Sequence, residues 1–466
     1  MFTHGEYTLA ATKQDCEDFQ FIISESIRLQ RLLNESYDLY AKDFDDVYGP
    51  LFSTIDIPKD VYEQDKSQQR FQIHLSSKAQ IKLLDITKRQ IKQNNWLYEL
   101  TVDEYIDDIK DSIYIHINND KKFDFSGCSS LLSRAYKRAL SKMREVRYLF
   151  PLNAASIRPE KDINIGCVKI THKDNVNPKI NDVQGKKALM DRNAQSEYNS
   201  FLCIDIPKCS NKSSHKRALN VADFIYGVIK VFSFYYQVNT KQLVLNKNPT
   251  EASSSHYVTC ENDNYYVCGS YSFGNDLSDF WDEFEADLNS EYSVGEIVFQ
   301  LIDYAISPVN QDCLSDRLID SFCWFGDASR DNNEHSQVVK LVTAMERLVT
   351  LSIEKKDPEL TKRFYSRVSC SIAVFEGEID RWKIDAKKLY ELRSNLVHGT
   401  QTLHKSHEIS LDFSPFRLAC LLILSSCIGF STIGLDTLNY EYKLQEMYDQ
   451  LSKHCLNQRY KEKLVR

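Results

Sequence analysis

The stretch LYELRSNLVHGT, Leu389–Thr400, sets an arginine and a histidine five residues apart and puts a glycine directly behind the histidine. Leu389, Leu392 and Leu396 fall at i, i+3 and i+7, which makes a core-facing helical stripe. Arg393 sits one step off that stripe, at its border. Gly399 is placed as the residue that ends the helix in a left-handed conformation. His398 then falls in the last turn, where exposed carbonyls favour a positive imidazole. Residues five apart on an ideal helix point about 140° away from each other. Arg393 and His398 therefore converge only if the helix ends between them or if two copies of it meet.

This helix stands in a helical neighbourhood. From about residue 290 strand signals fade, and amphipathic helices are expected over roughly 293–306, 313–326, 335–354, 359–379, 385–398, 414–434 and 437–455. Breaks fall at Pro308, at GDASRDNNE (326–334), at Pro358 and at HGTQTLHKSHEIS (398–410). Upstream the signals are mixed. Residues 15–46 and 215–236 read as helices, IYIHI (113–117) alternates like a strand, and CSSLLSRAYKRALSKMREVR (128–147) has helical spacing. INIGCVKIT (163–171) and SFLCIDI (200–206) read as strands, and HYVTCENDNYYVCGSYSF (256–273) as a hairpin turning at Glu261–Asn264. DLSDFWDEFEADL (276–288) reads as an amphipathic helix with Phe280, Trp281 and Phe284 inward.

A chain of 466 residues is long for one core, so two domains are expected, at 1–290 and 291–466. The expected fold class is α+β overall, a mixed α/β N-terminal region followed by an all-α bundle. The net charge of −8 argues against a protein that coats nucleic acid non-specifically, but it leaves room for one local basic surface. That surface is Arg134, Lys137, Arg138 and Lys142, with Arg144 and Arg147 beyond them, and the alternative is a solvated helix face. Asp107 and Asp111 share a helix face and suit either a cation or plain surface.

The 13 cysteines form no Cys-x-x-Cys pair, and they read as reduced thiols in a cytosolic protein. Cys260 and Cys268 fit a hairpin better than a zinc site. The N-terminus lacks a basic start followed by an apolar core, so no secretory leader is expected. The uncharged run 418–435 reads as a buried core or dimer helix rather than a membrane span. No phosphate loop, dinucleotide fingerprint, His-Glu-x-x-His or Gly-x-Ser-x-Gly is present, and no cofactor or metal is expected.

Arg, an amide and His together suit one chemistry well. RNA cleavage without metal needs a base for the 2′-OH, charge stabilisation at phosphorus and an acid for the leaving 5′ oxygen. Histidine serves the proton transfers. Arginine grips the phosphate with its fork. Asn395 can hold sugar or phosphate. Equally, an Arg and a His near a helix C-terminus are electrostatically ordinary.

The stretch resembles the HEPN superfamily, whose motif is Arg, four to six residues, then His. It is most similar to the Apea-like branch, with Leu389-Tyr390, Arg393-Ser394 and Val397-His398-Gly399 matching that branch's pattern. The helix holding LVTAMERLVT precedes it and an uncharged helix follows, so the resemblance covers roughly residues 295–455. It implies a helical bundle that dimerises and brings two motifs into one cleft. It further implies a metal-independent endoribonuclease of the toxin or anti-phage kind, acting in the cytoplasm on RNA and answering to a phage-derived trigger. Arg393 and His398 would be catalytic, with Asn395 as the polar third residue. Ser394 departs from the Asn, Asp or His that many members carry after the arginine. Glu346 would orient Arg393 from the neighbouring helix, or stand solvated. His404 and His407 fit the cleft or an exposed loop. Some members are non-catalytic scaffolds that bind RNA or a partner, and this is the alternative. The N-terminal part is then expected to sense or regulate.

Overall fold

The computed structural model describes residues 11–37, 52–53, 75–118, 123–154, 157–179, 183–184, 187, 198–240, 243–245, 256–261, 264–269, 277–290, 293–309, 311–354, 358–400 and 411–465. Its fold class is α+β. The chain forms two compact units, Met1–Val146 with Pro207–Lys216, and Arg147–Ile206 with Arg217–Arg466. Residue 290, the expected domain limit, falls inside the second unit.

The first unit is mainly helical: α1 (Lys13–Tyr37), α2 (Ser77–Gln93), α3 (Val102–Asn118) and α4 (Phe125–Lys142), with the short pair β1 (Phe52–Ser53) and β2 (Leu75–Ser76). Ser76 caps α2 by accepting from the Ala79 amide, and Asp124 caps α4 by accepting from Gly127. Phe19, Ile22, Leu83, Ile86, Tyr105, Ile109, Leu131 and Leu132 form its core. IYIHI is helix, not strand. Tyr105, Ile109 and Ile113 are buried at steps of four, and this longer stripe overrides the local alternation at 113–117. The expected 128–147 helix stops at Lys142, and Arg144 begins a strand.

In the second unit the strand order is β4 (Ile163–Ile165), β5 (Val168–His172), β6 (Ser200–Cys209), β3 (Arg144–Asn153) and β7 (Val244–Leu245). Antiparallel β4 and β5 turn at Gly166, whose φ of +60° suits a residue without Cβ. Ile163, Ile165, Val168 and Ile170 are buried along this hairpin. A second antiparallel hairpin, β8 (His256–Glu261) and β9 (Asn264–Gly269), closes on the Glu261–Asn264 pair.

The remaining helices are α5 (Asn211–Tyr235), α6 (Ser278–Asn289), α7 (Val294–Ile306), α8 (Leu314–Arg330), α9 (Glu334–Val349), α10 (Leu360–Glu376), α11 (Ile379–Val397), α12 (Pro415–Ile433) and α13 (Glu441–Val465). No strand occurs among the described residues after Gly269. Phe280, Trp281 and Phe284 of α6 are buried, as their spacing requires. Gly326 does not break α8. It lies where α8 meets Gly227 of α5, and a Cβ on Gly227 would stand 2.1 Å from the Phe322 carbonyl oxygen. The two glycines allow that close crossing.

α5 and α12 are long and apolar enough to cross a membrane, yet 72% and 56% of their apolar windows are buried inside the protein.

Candidate functional site

α11 behaves as its leucines require. Leu389 is fully buried, Leu396 nearly so and Leu392 half-buried. Arg393, at the border of that stripe, keeps 24% of its side chain exposed and points an Nη2 at Glu346 of α9, 3.2 Å away. Glu346 therefore meets Arg393 from the neighbouring helix. Tyr390 also acts on the Glu346 carboxyl. The Tyr390 ring packs on Phe364 of α10 at 4.6 Å and lies 5.9 Å from the Arg393 guanidinium carbon. Burial pushes the Glu346 carboxyl above its usual range, and Arg393 and Tyr390 pull it part of the way back. The Nε of Arg393 is buried with no hydrogen-bond partner among the described residues.

Glu346 sits one turn from the end of α9, and that end is held by side chains from three other helices. The carbonyls of Arg347 and Thr350 accept from Arg317, that of Leu348 from Tyr448 and that of Val349 from Arg367. The carbonyls that a helix C-terminus leaves open are thus taken. Arg367 is buried and pairs with buried Glu354 at 2.7 Å. This clamp fixes the register in which Glu346 meets Arg393. Arg317 and Arg367 carried no motif. The i+3 and i+7 neighbours of Arg367, Cys370 and Val374, are apolar and hint that it points inward, whereas Arg317 has Asp320 at i+3 and gives no such hint.

His398 is the C-cap residue of α11. Its amide donates to the Ser394 carbonyl at 2.9 Å, and its side chain is exposed. Gly399 follows at φ +73°, the left-handed terminator its position predicts. Ser394 is half-buried. Asn395 is exposed, with Thr400 Oγ1 3.1 Å from its carbonyl and 3.2 Å from its Oδ1. The helix therefore ends between Arg393 and His398. Among the described residues no hydrogen bond joins these two side chains. His404 and His407 lie outside the described residues.

The basic surface takes a different form. Arg138 binds Asp111 at 2.5 Å and Lys142 binds Asp108 at 2.5 Å, both acids being buried in α3. Arg134 donates to the Ser112 carbonyl at 3.4 Å, and Lys137 is exposed. Burial raises the carboxyls of Asp108 and Asp111, and the two cations oppose that rise. Arg138 and Lys142 thus pair with acids of α3, Arg134 bonds a backbone carbonyl of that helix, and Lys137 and Lys142 remain exposed. Of the two acids put forward as cation ligands, Asp111 is engaged in this pairing and Asp107 is exposed. Arg147 leaves the helix altogether and forks onto Asp205 across the sheet, at 2.6 and 2.7 Å.

Among the described residues no group of three His, Cys, Asp or Glu side chains could hold a metal ion. Two clefts lie in the second unit. One, of about 270 Å³, is lined mainly by Phe232, Tyr235, Ile372, Phe375 and Leu421. The other, of about 420 Å³, is lined by Asp223, Asp320, Trp324, Asp327 and Arg330. Neither includes Arg393 or His398.

Scans against protein-family models, curated proteins and solved structures found no match to the chain.

Proposed function

We propose that this protein is a metal-independent endoribonuclease of HEPN type, with Arg393 and His398 from two paired C-terminal bundles facing one RNA-binding cleft. The observation that carries this reading is local. Arg393 is braced by Glu346 and Tyr390, and an exposed His398 stands at the helix end five residues on. A braced guanidinium at a surface suits a phosphate, because its geometry is set before the ligand arrives. An exposed imidazole at a helix C-terminus suits proton transfer.

In the reaction a 2′-OH loses its proton to one His398 and attacks the adjacent phosphorus. Arg393 stabilises the added negative charge, and Asn395 positions the sugar–phosphate. The second His398 protonates the departing 5′ oxygen. The products carry a 2′,3′-cyclic phosphate and a 5′-OH. We place the enzyme in the cytoplasm as an anti-phage or toxin-like effector. Residues 1–290 would sense a phage-derived trigger and restrain the nuclease.

One observation favours a second reading, a bundle that binds RNA or a partner without cutting it. Glu346 already neutralises Arg393 in the single chain. The experiment that separates the two is cleavage of labelled RNA in excess EDTA by the wild type, Arg393→Ala and His398→Ala. Cleavage by the wild type alone, with all three proteins folded and dimeric, supports the enzyme. RNA retention without cleavage by any of them supports the binding module.

A further inference from the structure

The cleft of about 270 Å³ in the second unit has an apolar floor and an acidic mouth. Phe232, Ile372, Leu421 and Ser425 are buried and form the floor. Tyr235, Phe375 and Ile428 stand at the mouth, 45%, 55% and 38% exposed. Large apolar side chains gathered around one concave opening mark a place where something binds. Asp287 and Glu376 are exposed beside them. No lysine, arginine or histidine lines the cleft among the described residues. There neither acid forms an ion pair, and Asp287 accepts a hydrogen bond from the neutral Tyr236 hydroxyl.

The helix ends carry the same sign. α5, α6 and α10 each bring their last turn to this cleft, through Tyr235, Asp287 and Glu376. A helix C-terminus bears partial negative charge and ordinarily draws a lysine or arginine. None of these three last turns holds a basic residue. One helix, α7, starts at the cleft, and its N-terminus is already answered. Ser293 accepts from the Gly295 amide at 3.1 Å, and Glu296 lies in the first turn. The other cleft of this unit shows the contrast. There Asp320 pairs with Arg347 at 2.5 Å, Asp223 with Arg330 at 3.3 Å and Asp327 with Lys340 at 2.8 Å. Its acids are neutralised from within the chain, and those of the apolar cleft are not.

We propose that the apolar cleft binds a small amphipathic organic cation, an aromatic or branched aliphatic amine held as its ammonium. The apolar end enters over Phe232, Ile372 and Leu421, and its burial supplies most of the affinity. The ammonium stays at the mouth beside Asp287 and Glu376, where the Tyr235 and Phe375 rings also favour a cation. The carboxylates and the three helix ends then select the charge of the ligand rather than its shape. This inference is independent of the ribonuclease reading, since the cleft includes neither Arg393 nor His398.

The test is isothermal titration calorimetry of the full chain at neutral pH with tryptamine, tryptophol and indole-3-acetate. The three share an indole ring and end in an ammonium, a hydroxyl and a carboxylate. Tryptamine should saturate a single site. Tryptophol should bind about tenfold more weakly, and indole-3-acetate more weakly still. Asp287→Asn combined with Glu376→Gln should weaken tryptamine by about tenfold and leave tryptophol unchanged. Both side chains are exposed, so the double variant should fold as the wild type does. The proposal is overturned if tryptamine shows no saturable binding, or if the three probes bind the wild type equally. It is overturned as well if the double variant binds tryptamine as tightly as the wild type.

Discussion

Lys230 is the sharpest place to test the packing of the second unit. It is 3% exposed, in the C-terminal part of α5, and no carboxylate pairs with it among the described residues. Its Nζ donates to the Thr240 carbonyl at 2.5 Å and lies 3.2 Å from Thr240 Oγ1. An ammonium has three protons to place and finds two acceptors, whereas a neutral amine has two. Burial, with Arg330 as a second cause, brings this lysine down from 10.5 to about 7. The Tyr226 ring centroid lies 5.3 Å from Lys230 and 5.0 Å from Arg330.

At about 1.4 kcal/mol per pH unit, holding the amine there costs about 5 kcal/mol against the unfolded chain. The sign follows from proton counts. Between pH 7 and 10.5 the unfolded lysine is protonated and the folded one is neutral, so stability rises with pH. Lys230→Met removes this dependence and gives up two hydrogen bonds of about 1 kcal/mol each. Urea unfolding of both proteins, followed by tryptophan fluorescence from pH 7.5 to 9.5, reads the difference. The variant's stability relative to wild type should fall by about 2–3 kcal/mol across that range. A difference constant to within about 0.5 kcal/mol would mean that the buried lysine keeps its proton and that the reasoning is wrong.

Three further outcomes are expected. Arg367→Met leaves buried Glu354 with Arg363 alone and strands the Val349 carbonyl, and should cost about 2–4 kcal/mol in chemical denaturation. Adding Glu354→Gln should recover part of that loss. Gly227→Ala drives a Cβ into the Phe322 carbonyl and should cost about 3 kcal/mol or more, read as a fall in Tm. Arg138→Met uncovers Asp111 and should cost about 2 kcal/mol at pH 7. A carboxyl raised by burial favours the fold when protonated, so that loss should shrink as the thermal-shift assay moves toward pH 4.5.

Much of the C-terminal bundle was legible because its apolar residues repeat at helical steps over long stretches. Gly399 announced the end of α11, and AMERL placed a carboxylate opposite Arg393. Other features were hidden for physical reasons. The turn between α10 and α11 is only Gly377 and Glu378, both at positive φ, and a lone glycine inside a helical pattern gives little warning. Gly326 looked like a breaker because its purpose, contact with Gly227, lies about a hundred residues away. IYIHI misled because a five-residue alternation is too short to outweigh the stripe that begins at Tyr105. The basic helix gave no sign of its ion pairs, because charge on a helix says nothing about its partner. Asp108 and Asp111 one helix earlier were that partner, spaced to meet Arg138 and Lys142. The clamp on α9 by Arg317, Arg367 and Tyr448 depends on three separate helices, and no local pattern encodes it.

The most direct measurement is the chemistry of the RNA ends produced by the purified protein in EDTA. Fragments with 5′-OH and 2′,3′-cyclic phosphate ends, made by the wild type and lost in both Arg393→Ala and His398→Ala, are the predicted result. Fragments with 5′-phosphate and 3′-OH ends, or identical behaviour of all three proteins, would contradict the assignment of Arg393 and His398 as catalytic residues.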